Sequence, residues 1–117
     1  MADVTVKSIG EMDKSEGGGF HYAAKSLGVT AWGMNVEKFS AGWDGYPEHD
    51  HAGNGQEEVY IPLEGSVTLT ADGQSWELTP GTMARVGAEQ TRSILPGNQG
   101  VTMVVIGGTP GQAYETN

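Results

Sequence analysis

Two of the chain's three histidines form His49-Asp50-His51, and Glu58 follows seven residues later, just before the apolar run Val59-Tyr60-Ile61-Pro62-Leu63. Alternate residues of an extended segment face the same side, about 6.6–6.8 Å apart, so both imidazoles can be aimed at one point. Imidazole and carboxylate together suit first-row transition metals, and a two-histidine, one-carboxylate set leaves coordination positions open for chemistry. His49, His51 and Glu58 are therefore the candidate ligands of a divalent ion such as Mn, Fe, Ni, Cu or Zn. Gln56 and Glu57 are the substitutes if the register of the intervening loop differs. The competing reading is a polar, glycine-rich loop that happens to hold two histidines.

Other chemistries find little support. The chain has no cysteine, which removes disulfide scaffolds, thiolate zinc sites and cysteine nucleophiles together. Gly17-Gly18-Gly19 is not followed by Gly-Lys-Ser/Thr, so it is a flexible break and not a phosphate loop. The chain holds no Ser-His-Asp set and no paired carboxylates beyond Glu57-Glu58. The net charge of -9, from 15 acidic and 6 basic residues, disfavours nucleic acid and anionic membrane surfaces as partners. No apolar stretch approaches the roughly 20 residues of a membrane helix, and Met1-Ala2-Asp3-Val4 lacks the features of a signal peptide. A cytoplasmic domain is expected.

The elements that must position these ligands are short and mostly extended. With 19 glycines and 5 prolines in 117 residues, the chain is one domain cut by many turns. Phe20 to Gly28 reads as a short helix with Gly28 as its left-handed cap, and His21 as a histidine on its surface. Residues 1–28 form an N-terminal arm carrying that helix, and 29–117 form the β-domain. Val29 to Phe39, Glu58 to Leu63, Ser66 to Thr70, Trp76 to Leu78, Met83 to Val86 and Thr91 to Leu95 read as strands. Asp72-Gly73 supplies a hairpin turn, and Pro80-Gly81 and Pro96-Gly97-Asn98 supply further turns. Val101 to Ile106 is the most apolar run and reads as buried on both faces, and the tail from Thr109 to Asn117 reads as irregular. Short strands at this spacing predict an all-β sandwich or barrel.

The stretch from Gly42 to Gly65 resembles the first motif of the cupin superfamily: Gly, a spacer, His-x-His, a short spacer, Glu, six residues, Gly. Glu58 and Gly65 keep the six-residue spacer. Gly42 stands one residue further from His49 than the pattern has it, and the His51–Glu58 loop is about two residues longer, an extension its glycines can absorb. The second motif reads Gly, five residues, Pro-x-Gly-x-x-His, three residues, Asn. Anchored on Gly81, it puts Gly87 at the proline, Glu89 at the glycine, Arg92 at the histidine and Pro96 at the asparagine; a one-residue slip would put Thr91 at the histidine. The resemblance covers roughly residues 30–106, is specific in its first half, and implies a jelly-roll barrel whose fourth metal ligand is absent.

In such a barrel residues alternate between interior and exterior. With Glu58 inside, Tyr60 and Pro62 share its face, while Val59, Ile61 and Leu63 point outward. Trp32, Met34 and Val36 share one face of the earlier strand as ordinary core. Tyr60 becomes the available proton donor and a substrate contact. Arg92 cannot ligate a metal but offers a fork of donors to carboxylates and phosphates. It either clamps an anionic substrate beside a three-ligand metal, or pairs with Glu58 in a metal-free site, or lies exposed at a strand end. The resemblance implies a small-molecule ligand and dioxygenase, isomerase, decarboxylase or lyase chemistry, or binding or sensing without catalysis. It also implies a homodimer through the outward apolar residues.

Overall fold

Asp72 (φ 52°) and Gly73 (φ 74°) are both left-handed, the geometry of a two-residue type I′ turn. They close a hairpin that brings Ala71 opposite Gln74 and Val67 opposite Leu78. The computed structural model describes residues 2–113, and the sequence's alternating segments become six strands in it. These are β1 (Phe20–His21), β2 (Gly33–Phe39), β3 (Glu57–Ala71), β4 (Gln74–Leu78), β5 (Ala84–Val86) and β6 (Ser93–Gly108), with one α-helix, α1 (Ala23–Leu27), and a 3-10 turn at Ile9–Glu11. All pairings are antiparallel, in the order β1-β2-β6-β3-β4, with β5 also on β3.

The two long strands carry the architecture. Glu58–Leu63 and Ser66–Thr70, expected as separate strands, are one strand bent by register shifts at Pro62/Glu64 and Gly65/Val67. Gly65 has φ 73°, and a Cβ there would overlap the Gly100 carbonyl. Gly100 has φ 74°, and its Cβ would lie 2.7 Å from the Phe39 carbonyl oxygen. The strands can bend together only because both positions lack side chains. The expected turn at Pro96-Gly97-Asn98 is a correction of the same kind: β6 runs through it, with Pro96 opposite Val67. The bend lets both halves of β3 and β6 enclose one core of Phe39, Tyr60, Val67, Leu69, Leu78, Val86, Ile94, Val101, Met103 and Val105.

The expectation that Val101–Ile106 is buried on both faces does not hold. Val101, Met103 and Val105 are buried, while Val104 and Ile106 are half-buried on the outer face. Opposite them stand Ile61 and Val59, also half-buried, and Leu63 is 46% exposed. The helix begins later than expected. Phe20 and His21 pair with Glu37 and Val36, so they belong to the sheet, and His21 is buried at 6% exposure and not on a helix surface. Gly28 is the left-handed cap, its N–H donating to the Ala24 carbonyl. Helix α1 packs on β2, burying Ala23 and Ala24. Residues 109–113 are irregular as expected; the rest of that tail lies outside the described residues. No helix among the described residues is long and apolar enough to cross a membrane.

Candidate metal centre

The His49–His51 segment is held by backbone pairing to the chain between β5 and β6. His49 and Arg92 exchange both N–H···O bonds, at 3.0 and 2.9 Å, and the His51 N–H donates to Ala88 at 2.7 Å. The loop that follows closes locally: Asn54 and Gly55 N–H donate to the His51 carbonyl, and Asp50 Oδ1 accepts from Ala52 N–H. Asp50 therefore caps the turn, and both imidazoles point toward the start of β3. The side-chain nitrogens and carboxylate oxygen of His49, His51 and Glu58 lie within 4.8 Å of one another. Glu58 Oε1 is 3.4 Å from His51 Nε2 and 3.9 Å from His49 Nε2. Bonds of about 2.0–2.2 Å from one ion would bridge these last two separations.

The surroundings prepare the donors. His49 Nδ1 lies 3.0 Å from the Pro47 carbonyl oxygen, an acceptor only, so Nδ1 holds the proton and Nε2 is free to ligate. The Tyr46 ring stands 5.5 Å from the His49 ring, which meets His51 edge-on at 5.1 Å. The Tyr60 hydroxyl donates to Glu58 Oε1 at 3.0 Å, placing Tyr60 on the Glu58 face as expected. Gly107 lines the same wall, where a Cβ would sit 3.3 Å from Glu58 Cγ and 3.2 Å from Gln56 Oε1. Of the two substitute ligands, Gln56 borders Glu58 in this way. Glu57 is turned to the outer face, where the Arg85 Nε–H donates to it at 2.7 Å. The three candidate ligands are partly accessible, with side-chain exposures of 28%, 21% and 14%.

Behind them lies a polar interior that includes one group the sequence did not single out. Glu37 shares the inward face of β2 with Phe39, is 3% exposed, and has no hydrogen-bond partner for Oε1. Burial, then the nearby Glu58 charge, pushes its carboxyl up from 4.5 to about 8. Burial likewise raises the phenols of Tyr46 and Tyr60, with Glu37 adding to the first and Tyr46 to the second, so both keep their protons. Arg92 is fully buried. One terminal N–H donates to the Gly87 carbonyl at 3.2 Å, while Nε and Nη1 have no partner. Neither the exposed strand-end position nor the Glu58 pairing is seen: the Glu58 carboxylate faces the two imidazoles and the Tyr60 hydroxyl.

No family model and no curated protein matches the sequence, but solved structures do match the fold. A cupin protein from Bacteroides fragilis superposes with a TM-score of 0.75 at 20% identity, covering 100% of this chain and 93% of that one. The fold is that of a cupin. A sugar phosphate isomerase of the cupin superfamily from Silicibacter pomeroyi gives a TM-score of 0.64 at 20% identity, over 75% of this chain and 57% of that one. KdgF from a Halomonas species gives 0.58 at 10% identity, over 75% and 73%. The cupin barrel explains why His-x-His and Glu58 converge: the motif residues lie on neighbouring inward-facing segments, and the bend of β3 and β6 closes the wall around them.

Proposed function

We propose that this cupin binds one divalent transition-metal ion through His49, His51 and Glu58 and acts there on a small hydroxylated anion by proton transfer. The observation that carries the reading is the convergence of the three ligand atoms beside a buried arginine with two unpartnered nitrogens. When bound, such an ion polarises a substrate oxygen and, with three protein ligands, keeps positions open for it. An unpaired buried guanidinium is costly, and a carboxylate or phosphate is the group that relieves that cost through charge-assisted bonds. Because Arg92 is fully covered, the anion would have to displace covering side chains to reach Nε and Nη1, and would then sit in a site without bulk water. Tyr60 and Glu37 both hold protons near Glu58; once ionised, from about pH 8, Glu37 would take the substrate's proton and return it at the neighbouring carbon, the shift an isomerisation along a hydroxylated chain needs.

Two of the structurally similar cupins are described as a sugar phosphate isomerase and a putative one, which supports isomerase-type chemistry over dioxygenation. The cysteine-free, acidic chain fits a cytoplasmic setting. A second reading, a non-catalytic binding or sensory module in which Arg92 stands in for the fourth ligand, draws on the complete burial of Arg92.

The test combines metal analysis with calorimetry against simple sugar phosphates and hydroxy carboxylates, using wild type and Arg92→Leu. Wild type should hold close to one equivalent of Mn, Fe, Ni, Cu or Zn and bind members of the panel. Arg92→Leu should keep the metal and lose the anions. Binding without turnover selects the second reading. A variant that loses stability alone, with anion binding unchanged, makes Arg92 a brace for the His49 segment and removes the anion clamp.

A further inference from the structure

The loop between His51 and Glu58 holds a pair of residues that can react with each other. Asn54 is followed by Gly55, whereas Asn35 precedes Val36 and Asn98 precedes Gln99. The carboxamide of an asparagine is open to attack by the main-chain nitrogen of the next residue, and a glycine there has no side chain to obstruct the approach. Asn54 is exposed and lies in a turn. Its Oδ1 accepts from the Gln56 N–H at 3.0 Å, which folds the carboxamide back along its own main chain toward Gly55 and draws electrons from Cγ. Gly55 is left-handed, with φ 72°.

Two hydrogen bonds hold the pair short of reaction. The Gly55 N–H donates to the His51 carbonyl at 2.8 Å, which occupies the nitrogen that would attack. The Thr109 hydroxyl donates to the Asn54 carbonyl at 2.9 Å, which ties the turn to the chain after β6. Both bonds are within reach of water: a polar cavity of about 490 Å³, lined by Asn54, Gly55, Gln56, Thr109 and Gln112, opens beside them. None of residues 52–55 belongs to the hydrophobic core. A segment with exposed hydrogen bonds and few apolar contacts opens at low cost, well below global unfolding.

We propose that Asn54-Gly55 is a site of spontaneous deamidation whose rate is set by the opening of this turn. Once the bond to His51 opens, the Gly55 nitrogen gives its proton to solvent and bonds to Asn54 Cγ. The side-chain nitrogen takes a proton from solvent and leaves as ammonia, and a cyclic imide remains. One water then adds across either of the imide C–N bonds, giving aspartate or isoaspartate at position 54; water is the only co-reactant. In isoaspartate the main chain runs through the former side chain and gains a methylene. The Asn54 and Gly55 N–H groups, which now share the His51 carbonyl, no longer both fit it, and the turn stops bracing His51. The site itself needs no metal; its effect on metal affinity rests on the function proposed above.

Peptide mapping by mass spectrometry tests it on the full chain, aged for weeks in mildly alkaline buffer. The peptide holding Asn54 should gain about one dalton, the difference between an amide and an acid, while Asn35 and Asn98 stay amides. Labelling by isoaspartyl methyltransferase should mark the same peptide. Asn54→Ser should abolish the gain. Thr109→Val keeps a methyl group against Gly55 and removes the hydroxyl tether, so deamidation should run roughly two- to tenfold faster, the factor for one lost hydrogen bond. No gain at Asn54 overturns the site, and an unchanged rate in Thr109→Val overturns its control by the turn. Zinc titration of fresh and aged protein reads the consequence, with the isoaspartyl form binding more weakly. Equal affinity in the converted protein overturns the bracing of His51. Fresh protein that takes up no metal refutes the metal reading instead, and the mapping still decides the site.

Discussion

Replacing Glu37 by glutamine removes an ionisable group from the barrel interior while keeping its shape. In the native protein the carboxyl is 3% exposed and is pushed up from 4.5 to about 8, by burial first and by the Glu58 charge second. A carboxyl whose folded pKa is raised binds its proton more tightly folded than unfolded. Its contribution is full below the unfolded value and is lost as pH rises through the folded one. At about 1.36 kcal/mol per pKa unit, a rise from 4.5 to about 8 is worth roughly 5 kcal/mol across that window. Water drawn in around the ionising carboxylate would reduce this, so about 2–5 kcal/mol is expected. The assay is urea unfolding of chelator-treated protein from about pH 5 to about pH 9, wild type against variant. Other titrating groups cancel in the difference. Glu37→Gln should lose the alkaline destabilisation and become the more stable form at the top of the range. A difference that stays flat across the window would refute the burial argument. Metal loading should shrink the wild-type slope, because a cation beside Glu58 cancels the charge that helps raise Glu37.

His51→Ala should reduce bound metal to a small fraction of an equivalent, measured by mass spectrometry. Acidification should release the metal from wild type, because imidazole ligates only when neutral. Gly107→Ala places a Cβ 3.3 Å from Glu58 Cγ and 3.2 Å from Gln56 Oε1. It should cost about 1–3 kcal/mol by overpacking and weaken metal affinity by roughly tenfold through a displaced Glu58, seen by thermal melting and metal titration. Unchanged affinity would mean that Glu58 does not ligate.

Period-two patterning and Asp72-Gly73 were enough to reveal the two halves of β3, the hairpin into β4 and the inward set of Tyr60 and Pro62, because local alternation and turn chemistry decide those elements. Long-range pairing decided the rest. Phe20-His21 precedes a good helix-forming run, but pairing with Glu37 and Val36 outweighs that preference. Pro96-Gly97 reads locally as a turn, yet β6 passes through it opposite the bulged part of β3, where the regular ladder is already interrupted. Glu37 was overlooked because a glutamate on a strand normally marks the solvent face. The available signal was its two-residue spacing from Phe39: on a strand both face one side, and Phe39 belongs inside.

The burial of Arg92 bears on the charge balance of the barrel. Counting from Gly81 put Arg92 where the cupin pattern has a histidine, and the structure makes it the backbone partner of His49, with its guanidinium fully buried. Without a bound ion, the interior holds Arg92 as a cation, Glu58 as an anion and Glu37 as a neutral acid, so the formal charges cancel. A divalent ion adds two positive charges that a low-dielectric interior does not tolerate unpaired. Ionising Glu37 supplies one negative charge and a carboxylate ligand the other; a phosphate dianion supplies both and leaves Glu37 protonated. A fourth histidine would add a ligand but no positive charge, and the arginine in its place demands one more anion in the uncharged balance. If the proposed metal binds, an arginine at this position would bias the barrel toward anionic ligands, and the state of Glu37 would follow how many charges the ligand brings.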